Sequence, residues 1–103
     1  MNNYKKITQV EAKKIMDNED CTILDVRTPE EFNEGHIDGA INIPLNCINE
    51  EAENILTDKN ETILVYCRSG VRSKDASFIL AKKGYNNILE FGGIIDWIFD
   101  IVL

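Results

Sequence analysis

Two prolines, six glycines and one tryptophan in 103 residues leave no Pro/Gly/Ser-rich linker, low-complexity tract or repeat at which the chain would divide. One domain over residues 1–103 is therefore expected, near the commonest domain size and able to bury roughly 60–70% of its unfolded surface without staples. Long hydrophobic runs are also missing. No stretch nears the ~18 uncharged apolar residues of a spanning helix, and the apolar end Ile94 to Leu103 is interrupted by Asp96 and Asp100. Met1 to Val10 carries two lysines with no apolar run behind them, so it does not read as a secretory signal. Cysteine is scarce too: Cys21, Cys47 and Cys67 are odd in number and show no CxxC spacing, which argues against a disulfide framework and against zinc. Reduced thiols and a cytoplasmic location are implied. Basic residues are outnumbered, 11 against 18 acids for a net charge of -7, with 14 acids and 6 bases before residue 62. That excludes the clustered basic surface nucleic-acid binding needs, and no membrane partner is indicated.

What is present is 44% hydrophobic and 28% charged residues, the balance of a soluble globular fold. Thr8 with Glu11 forms a capping box, predicting a helix through Val10, Ala12 and Ile15 that frays near Asn18. Cys21 to Arg27 reads as a buried strand, and Thr28-Pro29-Glu30-Glu31 opens a short helix ended by Gly35. Ala40 to Ile43 reads as a strand stopped by Pro44, followed by a helix capped at Asn46 or Asn49 and running to about Leu56. Asp58-Lys59-Asn60 makes a turn into Thr62 to Tyr66, the clearest buried strand. A helix over Arg72 to Lys83, a strand over Asn87 to Glu90, a turn at Gly92-Gly93 and a last helix around Trp97 complete the reading. Strands alternating with helices imply a three-layer α/β fold with a mostly parallel central sheet flanked by helices. Ligands of such sheets bind beyond the carboxyl ends of the strands, where Cys67 stands.

The loop Cys67-Arg68-Ser69-Gly70-Val71-Arg72-Ser73 joins that strand to a helix amino terminus. Orphan N–H groups and the helix dipole make such a junction an anion cradle, and Gly70 lets the backbone curl around one centre. Arg68 and Arg72 add positive charge. A cysteine in this field is expected to ionise readily and act as a nucleophile. The plainer alternative is a buried structural cysteine, the role expected of Cys21 and Cys47, which lack a Gly-rich loop and basic neighbours.

Several ordered segments now point one way: Asp25-Val-Arg27, Pro29-Glu-Glu-Phe32, Gly35-His-Ile-Asp-Gly-Ala-Ile-Asn-Ile-Pro44, Tyr66-Cys-Arg-Ser-Gly-Val-Arg-Ser73 and Gly92-Gly-Ile-Ile-Asp-Trp97. From about Thr8 to Trp97 the chain resembles the single-domain rhodanese family. The resemblance implies a rhodanese-like fold and a thiosulfate sulfurtransferase in which Cys67 carries the sulfur. In that chemistry the thiolate attacks the outer sulfur of a small anionic donor such as thiosulfate, and sulfite leaves without needing a general acid. The amides of Arg68, Ser69, Gly70, Val71, Arg72 and Ser73 would hold the persulfide. Cyanide in an assay, or a cellular or protein thiol, would accept the sulfur.

Asp25 and Arg27 sit at another strand's carboxyl end, where they either border the site or form a pair that shapes the fold. His36 is read as a structural hydrogen-bonding residue and Trp97 as core. No metal or organic cofactor is indicated. Two rival functions stand beside the sulfurtransferase. A cysteine phosphatase or arsenate reductase would use the same thiolate and cradle, but its signature holds one residue more than the four that separate Cys67 from Arg72. A non-catalytic interaction module would leave Cys67 idle. The apolar end Ile98 to Leu103 is expected to fold back onto the core.

Overall fold

Thr8 and Thr28 each start a helix. In this computed structural model, which describes residues 3–103, the Thr8 hydroxyl accepts the Glu11 N–H at 3.0 Å while the Glu11 carboxylate accepts the Thr8 N–H at 2.9 Å. The reciprocal pair opens α1, Gln9–Asn18. Thr28 and Glu31 repeat the arrangement at the start of α2, Pro29–Glu34, with Pro29 where a missing N–H costs nothing and Gly35 at the end. Met1 and Asn2, part of the Met1 to Val10 stretch read above, lie outside the described residues.

Five strands form the central sheet: β1 (Lys5–Lys6), β2 (Thr22–Asp25), β4 (Ile41–Asn42), β5 (Ile63–Cys67) and β6 (Ile88–Gly93). Their order is β1-β6-β5-β2-β4 and every pairing is parallel. β3 (His36–Ile37) and β7 (Ile101–Val102) make a separate antiparallel pair. Along β5 the side chains alternate between two cores. Ile63, Val65 and Cys67 pack with Ile48, Ala52 and Leu56 and with Ala76 and Leu80. These partners come from α3 (Leu45–Ile55), its C-terminal neighbour Leu56, and α4 (Val71–Lys82). Leu64 and Tyr66 face the other way, against Ala12 of α1, Ile37 and Phe91. A strand buried on both faces between helical layers is the three-layer architecture the sequence implies. No helix among the described residues is long and apolar enough to cross a membrane.

Several boundaries differ from the sequence reading. The third helix is capped by neither Asn46 nor Asn49: Pro44 is the cap, with no side-chain bond, and its carbonyl takes the Cys47 N–H at 2.8 Å. Proline fixes the entry angle that a polar cap otherwise sets. Gly92 and Gly93 are the end of β6 rather than a turn, and the helix expected around Trp97 is a single 3-10 turn, Ile94–Asp96. The apolar end returns by pairing β7 with β3, yet Ile98, Ile101 and Leu103 remain 80%, 54% and 92% exposed. Backbone pairing, not side-chain burial, brings it back.

Candidate active site

Strand order reverses between β2 and β5: the chain runs outward from β2 to β4, then returns to the other side of β2 and continues to β6. Such a switch point opens a crevice at the carboxyl ends, because the two following connections leave in opposite directions. Cys67 is the last residue of β5 and is 1% exposed. At the same end of the sheet a groove of about 440 Å³ is lined by Val26, Arg27, Thr28, Pro44, Leu45, Asn46 and, from α4, Arg72.

The loop curls over the sulfur through Gly70, whose φ of +103° is a left-handed conformation that side chains oppose. This turn aims the Gly70 N–H at Cys67 Sγ, 3.0 Å away. Gly70 is also the cap of α4, and no side chain caps that helix. The N–H groups of its first turn, which include Arg72 and Ser73, have no side-chain cap, a geometry able to receive an anion. From below, the loop rests on Gly93: a Cβ there would come within 2.0 Å of the Arg68 carbonyl oxygen and 2.6 Å of Ser69 Cα. The Arg68 carbonyl also accepts the Ile95 N–H at 3.1 Å. Ser73 Oγ lies 3.5 Å from Cys67 Sγ and donates to Glu90 Oε2 at 2.7 Å.

The two loop arginines are placed differently. Arg68, Ser69 and Val71 face solvent. Arg72 makes a fork to Glu31 of α2, with bonds of 2.7 and 3.0 Å. The Arg72 guanidinium holds the Glu31 carboxyl down at about 2, against 4.5 ordinarily. A carboxyl so depressed in the folded chain stabilises it fully above about pH 4.5 and loses that contribution as pH falls through about 2. Carboxyl NMR titration is expected to place Glu31 near pH 2, and Arg72→Gln is expected to return it toward 4.5.

Asp25 and Arg27 are joined to each other. Arg27 Nη2 and Nε bond the Asp25 carboxylate at 2.7 to 3.1 Å, Tyr66 donates its hydroxyl to the same group at 2.7 Å, and Arg27 reaches the Gly35 carbonyl at 2.7 Å. Burial, then the Asp25 bond, push the Tyr66 hydroxyl up, so it stays a donor. Asp25 has no exposed surface; Arg27 reaches the groove wall beside Arg72. The pair ties β2, β5 and the start of β3 together behind the groove. His36 stacks on Phe32 at 3.7 Å between ring centroids, and Trp97 packs against Phe91 and Phe99.

The other cysteines sit in environments that oppose ionisation. Burial and then Glu19, Asp20 and Glu61 push the Cys21 thiol up, and Glu51 does the same to Cys47. All three cysteines are free. Two site neighbours escaped the sequence reading. Glu31 was seen only as a helix cap, and its reach to Arg72, 41 positions away, leaves no local mark. Glu90 follows buried Ile88 by two positions in a strand, so the period of two could have placed it on the inward face.

A family profile described as Rhodanese-like domain matches residues 8–99. The chain is similar to the thiosulfate sulfurtransferase PspE of Escherichia coli, 42% identical over 73 residues that cover 71% of this chain and 70% of that one. It also resembles the tRNA uridine(34) hydroxylase of Buchnera aphidicola, 30% identical over 87% of this chain but only 30% of that protein. Among solved structures, the rhodanese-related protein of Thermoplasma volcanium superposes with a TM-score of 0.85 at 31% identity, over 97% of this chain and 99% of the other. A parallel sheet of this order, a cysteine under a helix N-terminus and a match over nearly the whole length agree: the chain belongs to the rhodanese-like domain family.

Proposed function

We propose that this protein is a thiosulfate sulfurtransferase that carries sulfane sulfur as a persulfide on Cys67. The observation that carries the reading is the Gly70 N–H aimed at Cys67 Sγ from the uncapped start of α4. That geometry favours negative charge on sulfur, first as thiolate and then on the outer atom of a persulfide. The thiolate attacks the outer sulfur of thiosulfate, the S–S bond to the sulfonate breaks, and sulfite departs with the bonding pair. An acceptor thiol or cyanide then takes the outer sulfur and restores the Cys67 thiolate. A free thiolate as the working group suits a reducing, cytoplasmic setting. The commitment of Arg72 to Glu31 speaks for a sulfur atom over a phosphate, since a phosphate loop would need that guanidinium turned inward.

The test is intact-mass spectrometry of the reduced protein after incubation with thiosulfate, followed by peptide mapping. One added sulfur, about 32 Da, on Cys67 is expected, because that thiol alone lies in an anion cradle. No adduct, or one on Cys21 or Cys47, sinks the proposal.

The arginines should separate in a salt series. Arg68 is solvated, so Arg68→Gln is expected to raise the thiosulfate KM about fivefold at low ionic strength and to match wild type at high salt. Arg72→Gln frees α4 from α2 and is expected to lower turnover at every ionic strength. Steady-state kinetics that leave both variants unchanged would assign the anion to the backbone alone.

A further inference from the structure

Glu90 is a carboxylate with no exposed surface, set behind the loop and unused by the sulfur transfer just described. An ionised carboxylate is costly to bury unless hydrogen bonds hold its charge. Glu90 has two short ones, both to Oε2: the Gly92 N–H at 2.7 Å and the Ser73 hydroxyl at 2.7 Å. Its other oxygen faces Lys6 Nζ at 3.5 Å, a side chain that is 63% exposed. Ser73 Oγ is in turn 3.5 Å from Cys67 Sγ.

Ser73 has one proton. While it points to Glu90, the serine can only accept from sulfur, so this arrangement suits a Cys67 thiol beside a Glu90 carboxylate. A thiolate reverses the requirement. Ser73 must then turn its proton to the sulfur, and Glu90 must be protonated to supply one to Ser73. The row Cys67, Ser73, Glu90 thus has two self-consistent polarities and a single proton to share.

We propose that Glu90 takes up the Cys67 proton through Ser73 as the nucleophile forms. The S–H bond breaks, its proton joins Ser73 Oγ, and the proton already on Ser73 passes to Glu90 Oε2; sulfur keeps the electron pair. The three side chains carry one negative charge before and after, so the buried region never holds two. The charge moves from the carboxylate to the sulfur, where the Gly70 N–H and the start of α4 meet it. Among the described residues the charged group bonded to Glu90 is Lys6 from β1, and Ser73 from α4 links the carboxylate to Cys67 of β5. Arg72 on α4 is turned to Glu31, and α1 contributes the neutral Gln9, bonded to the Phe91 and Gly93 carbonyls. Glu90 touches neither sulfur nor donor, so it is a positioning residue that acts through Ser73. The proposal rests on Cys67 being the reacting thiol.

The experiment is the rate of Cys67 alkylation by iodoacetamide across pH, with the adduct assigned by peptide mapping. In the wild type a pair that shares one proton holds a fixed fraction of thiolate between its two titrations, so the rate should show a flat shelf between two rises. Glu90→Gln keeps the size and the bonds to Gly92 and Ser73 but cannot take the proton. Its shelf should vanish, and the rate should fall about tenfold per unit of pH below one midpoint. Ser73→Ala, which cuts the row and leaves Glu90 in place, should lose the shelf too. A single rise in the wild type overturns the proposal whatever the variants do, and so does a shelf that survives Glu90→Gln. Incubating the same wild-type preparation with thiosulfate keeps the two readings apart. A Cys67 sulfur adduct with no shelf sinks the proton path alone, while absence of the adduct sinks the sulfurtransferase.

Discussion

Cys67→Ala is expected to take up no sulfur from thiosulfate and to lower turnover by about 10³-fold or more, since the proposed mechanism carries the atom from donor to acceptor on that sulfur. The fold should survive. Cys67 packs among Ile63, Val65 and Ala76, where alanine keeps the apolar contact and leaves a void no larger than a sulfur atom, at a cost of about 1–2 kcal/mol. Thermal unfolding by circular dichroism, read beside the sulfur adduct and cyanide turnover, separates lost chemistry from lost structure. Cys21→Ser and Cys47→Ser are the controls. Both thiols are held protonated by burial or acidic neighbours, so both variants should retain most activity. A Cys67→Ala protein that still turned over would move the chemistry elsewhere.

Gly93→Ala should be nearly as damaging without touching a reacting atom. The added Cβ would stand 2.0 Å from the Arg68 carbonyl oxygen and 2.4 Å from its carbon, backbone atoms that have no rotamer to escape into. The loop must therefore lift by more than an ångström, and with it the Gly70 N–H that meets the sulfur. Misplacement on that scale costs roughly 10²-fold in rate, whereas the overpacking itself costs about 1–3 kcal/mol of stability. Turnover and Tm measured on one preparation should show the larger deficit in turnover. Near-wild-type activity would mean that the loop tolerates being lifted.

Much of this arrangement was legible in the sequence because the signals are local. Thr8 with Glu11 and Thr28 with Glu31 are four-residue signatures, and the hydrophobic run ending at Tyr66 is a strand on any reading. The strand-to-helix turn from Cys67 to Ser73 was legible for the same reason, since Gly70 marks it locally and the structure places that residue at the start of α4. What stayed hidden depends on partners far along the chain. Lys5 and Lys6 form a strand only because Leu89 and Glu90 lie beside them. β7 exists because His36 and Ile37 offer it an edge. The glycine pair at residues 92 and 93 read as a turn, the commonest use of such a pair, but its second member is small because a loop some 25 positions earlier lies on it. Arg72 reads as free to meet an anion, whereas in the fold its guanidinium is bound by Glu31 of α2.

The central sheet has two open rims, and both are short. One is β1, two lysines that face solvent; the other is β4, two residues that stop against Pro44 and its missing N–H. A strand from a second molecule would have to desolvate ammonium groups on one side and would run out of backbone partners on the other. The sheet is therefore a poor template for its own growth, which protects a thin, apolar-cored protein from joining edge to edge and aggregating when it is concentrated.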